Sequence, residues 1–137
     1  MKAYVDSSVV LRVVLGQPGR LEEWEAITGA VGSGLVEVEC LRTLDRLRLA
    51  GALDEEELVL RREAVYQLTA EMEIVEPTTA VLRQASMPLP TALGTLDAIH
   101  LATAVLWREY RNEELVMATH DRALALAARS VGMRAVG

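Results

Sequence analysis

Two short apolar runs constrain this chain more than anything else in it, because each passes directly into a helix by way of an acid. The run Lys2 to Asp6 reads as a buried strand, and Ser7-Ser8 opens a helix that carries Val9, Val10, Leu11 and Val14. The run Leu115 to Thr119 repeats the arrangement, with Asp121 starting a helix that continues through Ala128. Strands that are apolar throughout, rather than alternating, are covered on both faces. Where such strands alternate with helices, right-handed crossovers place them side by side and parallel. The chain is therefore expected to be α/β, a central parallel sheet between two layers of helix.

The remaining elements follow the same alternation. Gln17-Pro18-Gly19 is a turn, and Leu21, Trp24, Ile27 and Thr28 are spaced as in a short helix. Ala30 to Ser33 reads as a short strand. Leu35, Val38, Leu41, Leu44 and Leu47 then form an amphipathic stripe, with Glu39 beside it and Cys40 on its apolar side. Gly51 ends this helix, and Asp54 caps another that carries Leu58, Ala64, Val65 and Leu68, so the two form a helical hairpin. Glu73 to Glu76 reads as a strand before Pro77, and Thr79 to Gln84 as a brief helix ahead of the Pro88 and Pro90 loop. A long helix is expected from Thr95, its cap, to Tyr110, with Leu96, Ile99, Thr103, Leu106, Trp107 and Tyr110 facing inward. Met133 to Val136 closes the sheet at an edge. With 137 residues, 51% of them hydrophobic, the chain has room for one core, and residues 1–137 are expected to form a single domain.

Composition narrows the function. No apolar run is long enough to span a membrane, and the first residues lead straight into a strand, so a soluble cytoplasmic protein is expected. The single cysteine, Cys40, reads as a small buried hydrophobe in a reducing compartment. A net charge of −6 argues against nonspecific coating of nucleic acid and leaves a local basic rim open.

Four acids carry the chemistry. Asp6 and Asp121 follow the two apolar strands, where ligands bind in open parallel sheets. Asp97 falls in the first turn of the long helix, where the dipole favours an anion. Glu39 flanks the amphipathic stripe. Taken singly, each is explained as a cap, a dipole partner or a solvated side chain. Together they would be costly without a cation, since two charges about 4 Å apart repel by roughly 4 kcal/mol at an effective dielectric near 20. Carboxylate oxygens suit Mg²⁺ or Mn²⁺, and such a site hydrolyses phosphodiesters by activating water and offsetting charge on the transition state, with no side-chain nucleophile. His100 and His120 are left outside the ligand set, because imidazole is a softer donor than an oxygen-rich site favours; His100, three residues after Asp97, is expected to pack or cap.

The chain resembles the PIN-domain ribonucleases, and within them the VapC-type toxins of toxin-antitoxin pairs. The likeness rests on Tyr4-Val5-Asp6-Ser7-Ser8, Glu39-Cys40-Leu41-Arg42, Leu96-Asp97-Ala98-Ile99-His100-Leu101-Ala102 and Ala118-Thr119-His120-Asp121-Arg122, four motifs in order across nearly the whole chain. What it implies is a PIN-like three-layer α/β/α fold with strand order 3-2-1-4-5 and a protruding helical hairpin. It also implies endonucleolytic cleavage of RNA by a Mg²⁺ or Mn²⁺ site in which Asp6, Glu39, Asp97 and Asp121 match the metal-binding acids. Ser8 and Thr119 match hydroxyl positions that support those acids by hydrogen bonds. Glu37 is a rival to Glu39, and the Glu-Cys-Leu-Arg run favours Glu39.

Gly94 stands where many relatives carry a basic residue, which leaves Arg12, Arg42, Arg46 and Arg122 as candidates for RNA phosphates. The resemblance further implies an antitoxin partner, with Trp24 and the helical hairpin forming either its groove or part of the core, and a symmetric homodimer. The alternatives are a non-catalytic RNA- or protein-binding adaptor on the same fold, a solitary RNA-processing nuclease, and a phosphate-handling α/β domain with Asp6 as nucleophile. The last is disfavoured by Ser7-Ser8 and by the presence of only one lysine, Lys2.

Overall fold

The computed structural model describes residues 1–137 and has the expected architecture. Five parallel strands, β1 (Lys2–Val5), β2 (Gly29–Ser33), β3 (Glu73–Val75), β4 (Val116–Ala118) and β5 (Ala135–Val136), lie in the order β3-β2-β1-β4-β5. Tyr4 of β1 sits opposite Val31 on one side and Met117 on the other, so the first strand is the centre of the sheet.

Strand geometry sends successive side chains to opposite faces, and here both faces are dry. Ala3 and Val5, with Ala118 of β4, pack against α1 (Ser7–Val14), α2 (Leu35–Leu49) and α3 (Glu55–Ala70) through Val9, Val10, Val36, Cys40, Leu44 and Val65. Tyr4, Val31 and Met117 point the other way, onto α5 (Thr95–Arg111) and α6 (Arg122–Ser130) through Leu101, Trp107 and Leu124. The short α4 (Thr79–Ala85) packs along α5. This is why the strands carry so little polarity, and it gives the three-layer α/β/α arrangement. The α2–α3 hairpin projects beyond the sheet, leaving Leu49, Val59 and Leu60 exposed near its tip. No helix is long and apolar enough to cross a membrane.

Local sequence accounts for most helix boundaries. Asp6, Asp54, Thr78 and Asp121 each cap a helix, accepting from the backbone N–H of Val9, Glu57, Val81 and Leu124. Asn112 ends α5 in the left-handed conformation, which asparagine tolerates well.

Four expectations are corrected. The segment around Trp24 is only a single 3-10 turn, Trp24–Ala26, rather than a short helix reaching Thr28. The cap of α5 is Gly94, whose backbone is extended, while Thr95 is already the first helical residue and its side chain makes no capping bond. The buried seam of α2 runs Val36–Cys40–Leu44, at four-residue spacing; Val38 stands half exposed and Leu35, Leu41 and Leu47 flank the seam. A helix carrying leucines at several phases admits two stripes, and the small Cys40, in van der Waals reach of the Ser7 carbonyl, decides which one approaches α1. In α5, Thr103 and Trp107 do face inward, but Leu96 and Tyr110, in the first and last turns of the helix, are exposed.

Candidate metal centre at the carboxyl edge of the sheet

Strand order reverses between β1 and β4, since the chain proceeds from β1 through β2 to β3 on one side and only later returns to the other. The carboxyl ends of β1 and β4 therefore lie together at the point where open α/β sheets form ligand crevices. Asp6 leaves β1 there, with its backbone N–H donating to the Ala118 carbonyl. Its side chain is buried, and three donors hold its two oxygens. The Ser8 hydroxyl donates to Oδ1 at 2.6 Å, the Val9 N–H donates to the same atom at 3.3 Å, and the Thr119 hydroxyl donates to Oδ2 at 2.5 Å. Ser8 and Thr119 in turn accept from the backbone N–H groups of His120 and Asp121, at 2.9 and 3.0 Å. The two hydroxyls thus lock the β4–α6 loop onto Asp6.

Burial pushes the Asp6 carboxyl above the usual carboxylate range, and the hydrogen bonds from Ser8, Thr119 and Val9 pull against that. Asp97, in the first turn of α5, is also raised. Partial burial is the main cause, followed by the charge of Asp121, with Asp6 and Glu39 adding to it. One carboxylate feeling three others indicates that helices from distant parts of the chain converge on the same crevice. Asp121 is exposed at the start of α6.

Glu39 is held differently. Its Oε1 lies 2.5 Å from Nε2 of His100, and Nδ1 of that ring lies 2.6 Å from the Tyr4 hydroxyl. His100 is buried, and its two hydrogen bonds make it more than a packing residue. Sequence reasoning undervalued it; the available signal was its place one turn after Asp97, on the side of α5 that faces the sheet. Glu37 points elsewhere, accepting from the Thr69 hydroxyl of α3 at 2.7 Å. Two residues apart within one turn of α2, the two glutamates point to different sides, one toward the crevice and one into the hairpin.

The donor set is all carboxylate oxygen, which suits a hard divalent cation. As placed, no three of these side chains are arranged to ligate a single ion. Asp6 is engaged by its hydroxyls, Glu39 by His100 and Asp121 by its cap. The chemistry of the donors nevertheless fits a hard divalent metal.

The arginines occupy several settings. Beside Glu39 a cleft of about 450 Å³ is lined by Val38, Arg42, Thr43, Arg46 and Leu96. Arg42 pairs with Asp45 at 3.0 Å and Arg46 donates to the Thr43 hydroxyl at 2.9 Å, both on the exposed face of α2. Arg122 is exposed next to Asp121. Arg12 donates to the Gly19 carbonyl at 3.0 Å, and its charge, after burial, helps to lower the pKa of His120.

The family whose model matches residues 3–130 is described as the PIN domain. Among known proteins, Ribonuclease VapC47 of Mycobacterium tuberculosis is 28% identical over 129 residues, covering 94% of this chain and 91% of that protein. Two solved structures are similar in fold. A chain of a toxin-antitoxin complex from Klebsiella pneumoniae superposes with a TM-score of 0.68 at 15% identity, covering 93% of both chains. A chain of FitAB bound to an IR36 DNA fragment does so with a TM-score of 0.72 at 13% identity, covering 98% of this chain and 93% of that one.

Proposed function

The chain belongs to the PIN-domain family, and on that premise we propose that it is a divalent-metal-dependent endoribonuclease, the toxin of a toxin-antitoxin pair. The observation that carries this reading is the convergence of Asp6, Asp97, Asp121 and Glu39 at the carboxyl ends of β1 and β4, consistent with an Asp97 carboxyl raised first by burial and then by the charges of Asp121, Asp6 and Glu39. Asp6, Glu39, Asp97 and Asp121 would hold Mg²⁺ or Mn²⁺, which when bound supplies an acidified water and offsets charge on a phosphodiester under attack. Ser8 and Thr119 pre-set the rotamer of Asp6, so that this carboxylate enters the site without ordering cost. Arg42 and Arg46, lining the cleft beside Glu39, and Arg122, exposed next to Asp121, would take the phosphates of an entering RNA, and Arg12 supports the loop between α1 and Leu21.

The partner reading is an antitoxin. A cavity of about 300 Å³ between Trp24, Ile27, Leu68 and Met72 offers an apolar seat beside the hairpin, and the likeness to a chain of the Klebsiella pneumoniae toxin-antitoxin complex supports such a pair. Residues 1–137 then act as one domain, as a symmetric homodimer in the cytoplasm.

The test is Mn²⁺ titration by calorimetry on the full chain and on Asp97→Asn, with thermal melts alongside, followed by RNA cleavage. The wild type should gain about 2.7 kcal/mol at a hundredfold excess over Kd, and Asp97→Asn should lose most of it. No binding at millimolar Mn²⁺ overturns the nuclease in favour of an adaptor.

A further inference from the structure

Asp6 and Asp121 are fixed by backbone or hydroxyl donors, whereas Glu39 meets a buried imidazole. The ring has only two polar atoms, and each faces one partner. Nδ1 faces the Tyr4 hydroxyl on the central strand, and Nε2 faces Glu39 on α2. Tyr4 and His100 also meet edge to face, their ring centroids 5.8 Å apart, so the imidazole cannot turn without breaking both bonds and a packed contact.

We propose that His100 is a positioning residue for Glu39: the Tyr4 hydroxyl donates to Nδ1, which places the ring proton on Nε2, and Nε2–H donates to Glu39 Oε1, orienting this carboxylate for the cation. The inference rests on the nuclease reading above. The direction of the chain follows from Tyr4, a fully buried phenol whose O–H lies 2.6 Å from Nδ1 and is the natural donor of the pair. A ring nitrogen that accepts from it carries no proton of its own. Glu39 Oε2 has no hydrogen-bond partner, and Oε2 is the atom left to face the crevice. Outer partners of this kind hold a metal ligand in place and raise its donor strength, and removing one typically weakens metal binding by about 10- to 100-fold.

The experiment uses the full chain, with Mn²⁺ as the probe, and two readouts. In metal-free protein, ¹⁵N NMR of the imidazoles reports the tautomer of His100, with His120→Gln used to assign the only other histidine. The expected result is a dominant Nε2–H tautomer that becomes mixed in Tyr4→Phe. Calorimetry should show Mn²⁺ affinity falling about tenfold in Tyr4→Phe and in His100→Leu, and recovering most of that in His100→Gln, whose amide nitrogen still reaches Glu39. Tyr4→Phe keeps the core shape and touches no acid, so it remains informative if His100→Leu does not fold. Wild-type affinity in a folded Tyr4→Phe, or an Nδ1–H tautomer in the wild type, overturns the proposal alone. Absence of Mn²⁺ binding by the wild type overturns it together with the nuclease reading.

Discussion

The Thr119 hydroxyl donates to Asp6 Oδ2 across 113 residues of sequence, and its own oxygen accepts from the backbone N–H of Asp121. One small side chain thus joins the end of β1 to the start of α6. Thr119→Val should destabilise the chain by about 1–3 kcal/mol in urea unfolding, the cost of leaving buried polar groups unpaired. Thr119→Ser should restore most of it.

Asp97 offers a trade between stability and chemistry. Its folded pKa is raised above the ordinary value of 3.8, so its favourable contribution is present below that pH and is lost as pH rises through the folded pKa. Asp6 shifts in the same direction. In chelated buffer Asp97→Asn should therefore melt higher than wild type at pH 7, the difference shrinking toward pH 4. A mutant that melts lower at pH 7 would mean that the acids do not repel as described.

Glu73 behaves oppositely. The Trp107 indole and then Arg111 lower its pKa, so its contribution is present above the ordinary value of 4.5 and is lost as pH falls through the folded one. Because this pair is largely solvated, Glu73→Gln should cost under about 1 kcal/mol at pH 7. Melts from pH 3 to 7 should show the difference vanish at the acid end.

Cys40 should be a reporter of global unfolding. Burial, and then Glu39, pushes its thiol up to about 12. Iodoacetamide at pH 8 should leave the native protein unmodified and label it rapidly in urea. Fast native labelling would place Cys40 outside the seam.

The seam itself predicts an asymmetry within α2. Leu44→Ala should cost about 2–5 kcal/mol, since Leu44 is fully buried. Val38→Ala, half exposed beside the cleft, should stay within about 0.5 kcal/mol. Chemical denaturation of both variants checks it.

The parallel α/β layering and the carboxyl-edge position of Asp6 and Asp121 were readable from sequence, because apolar runs followed by capping acids reflect local physics; the strand order followed from the family resemblance alone. The α2 stripe was not. Its leucines satisfy two helical phases, and the choice between them rests on a close approach at Cys40 that no spacing encodes. Thr95 was a reasonable cap by residue type, yet the extended backbone falls at Gly94, one residue earlier. The Tyr4–His100–Glu39 chain was invisible for a different reason: it joins three elements from distant parts of the sequence, and each of its members reads singly as core or surface.

The pairing of β1 with β4 also governs when this molecule becomes what it is. The central strand is synthesised early, yet the hydroxyl and backbone that complete the surroundings of Asp6 arrive 113 residues later. Contacts so distant in sequence form late and slowly. A ribosome translating this chain thus carries a partial fold whose acids have nothing to close against, so any activity of the crevice begins only after β4 has docked.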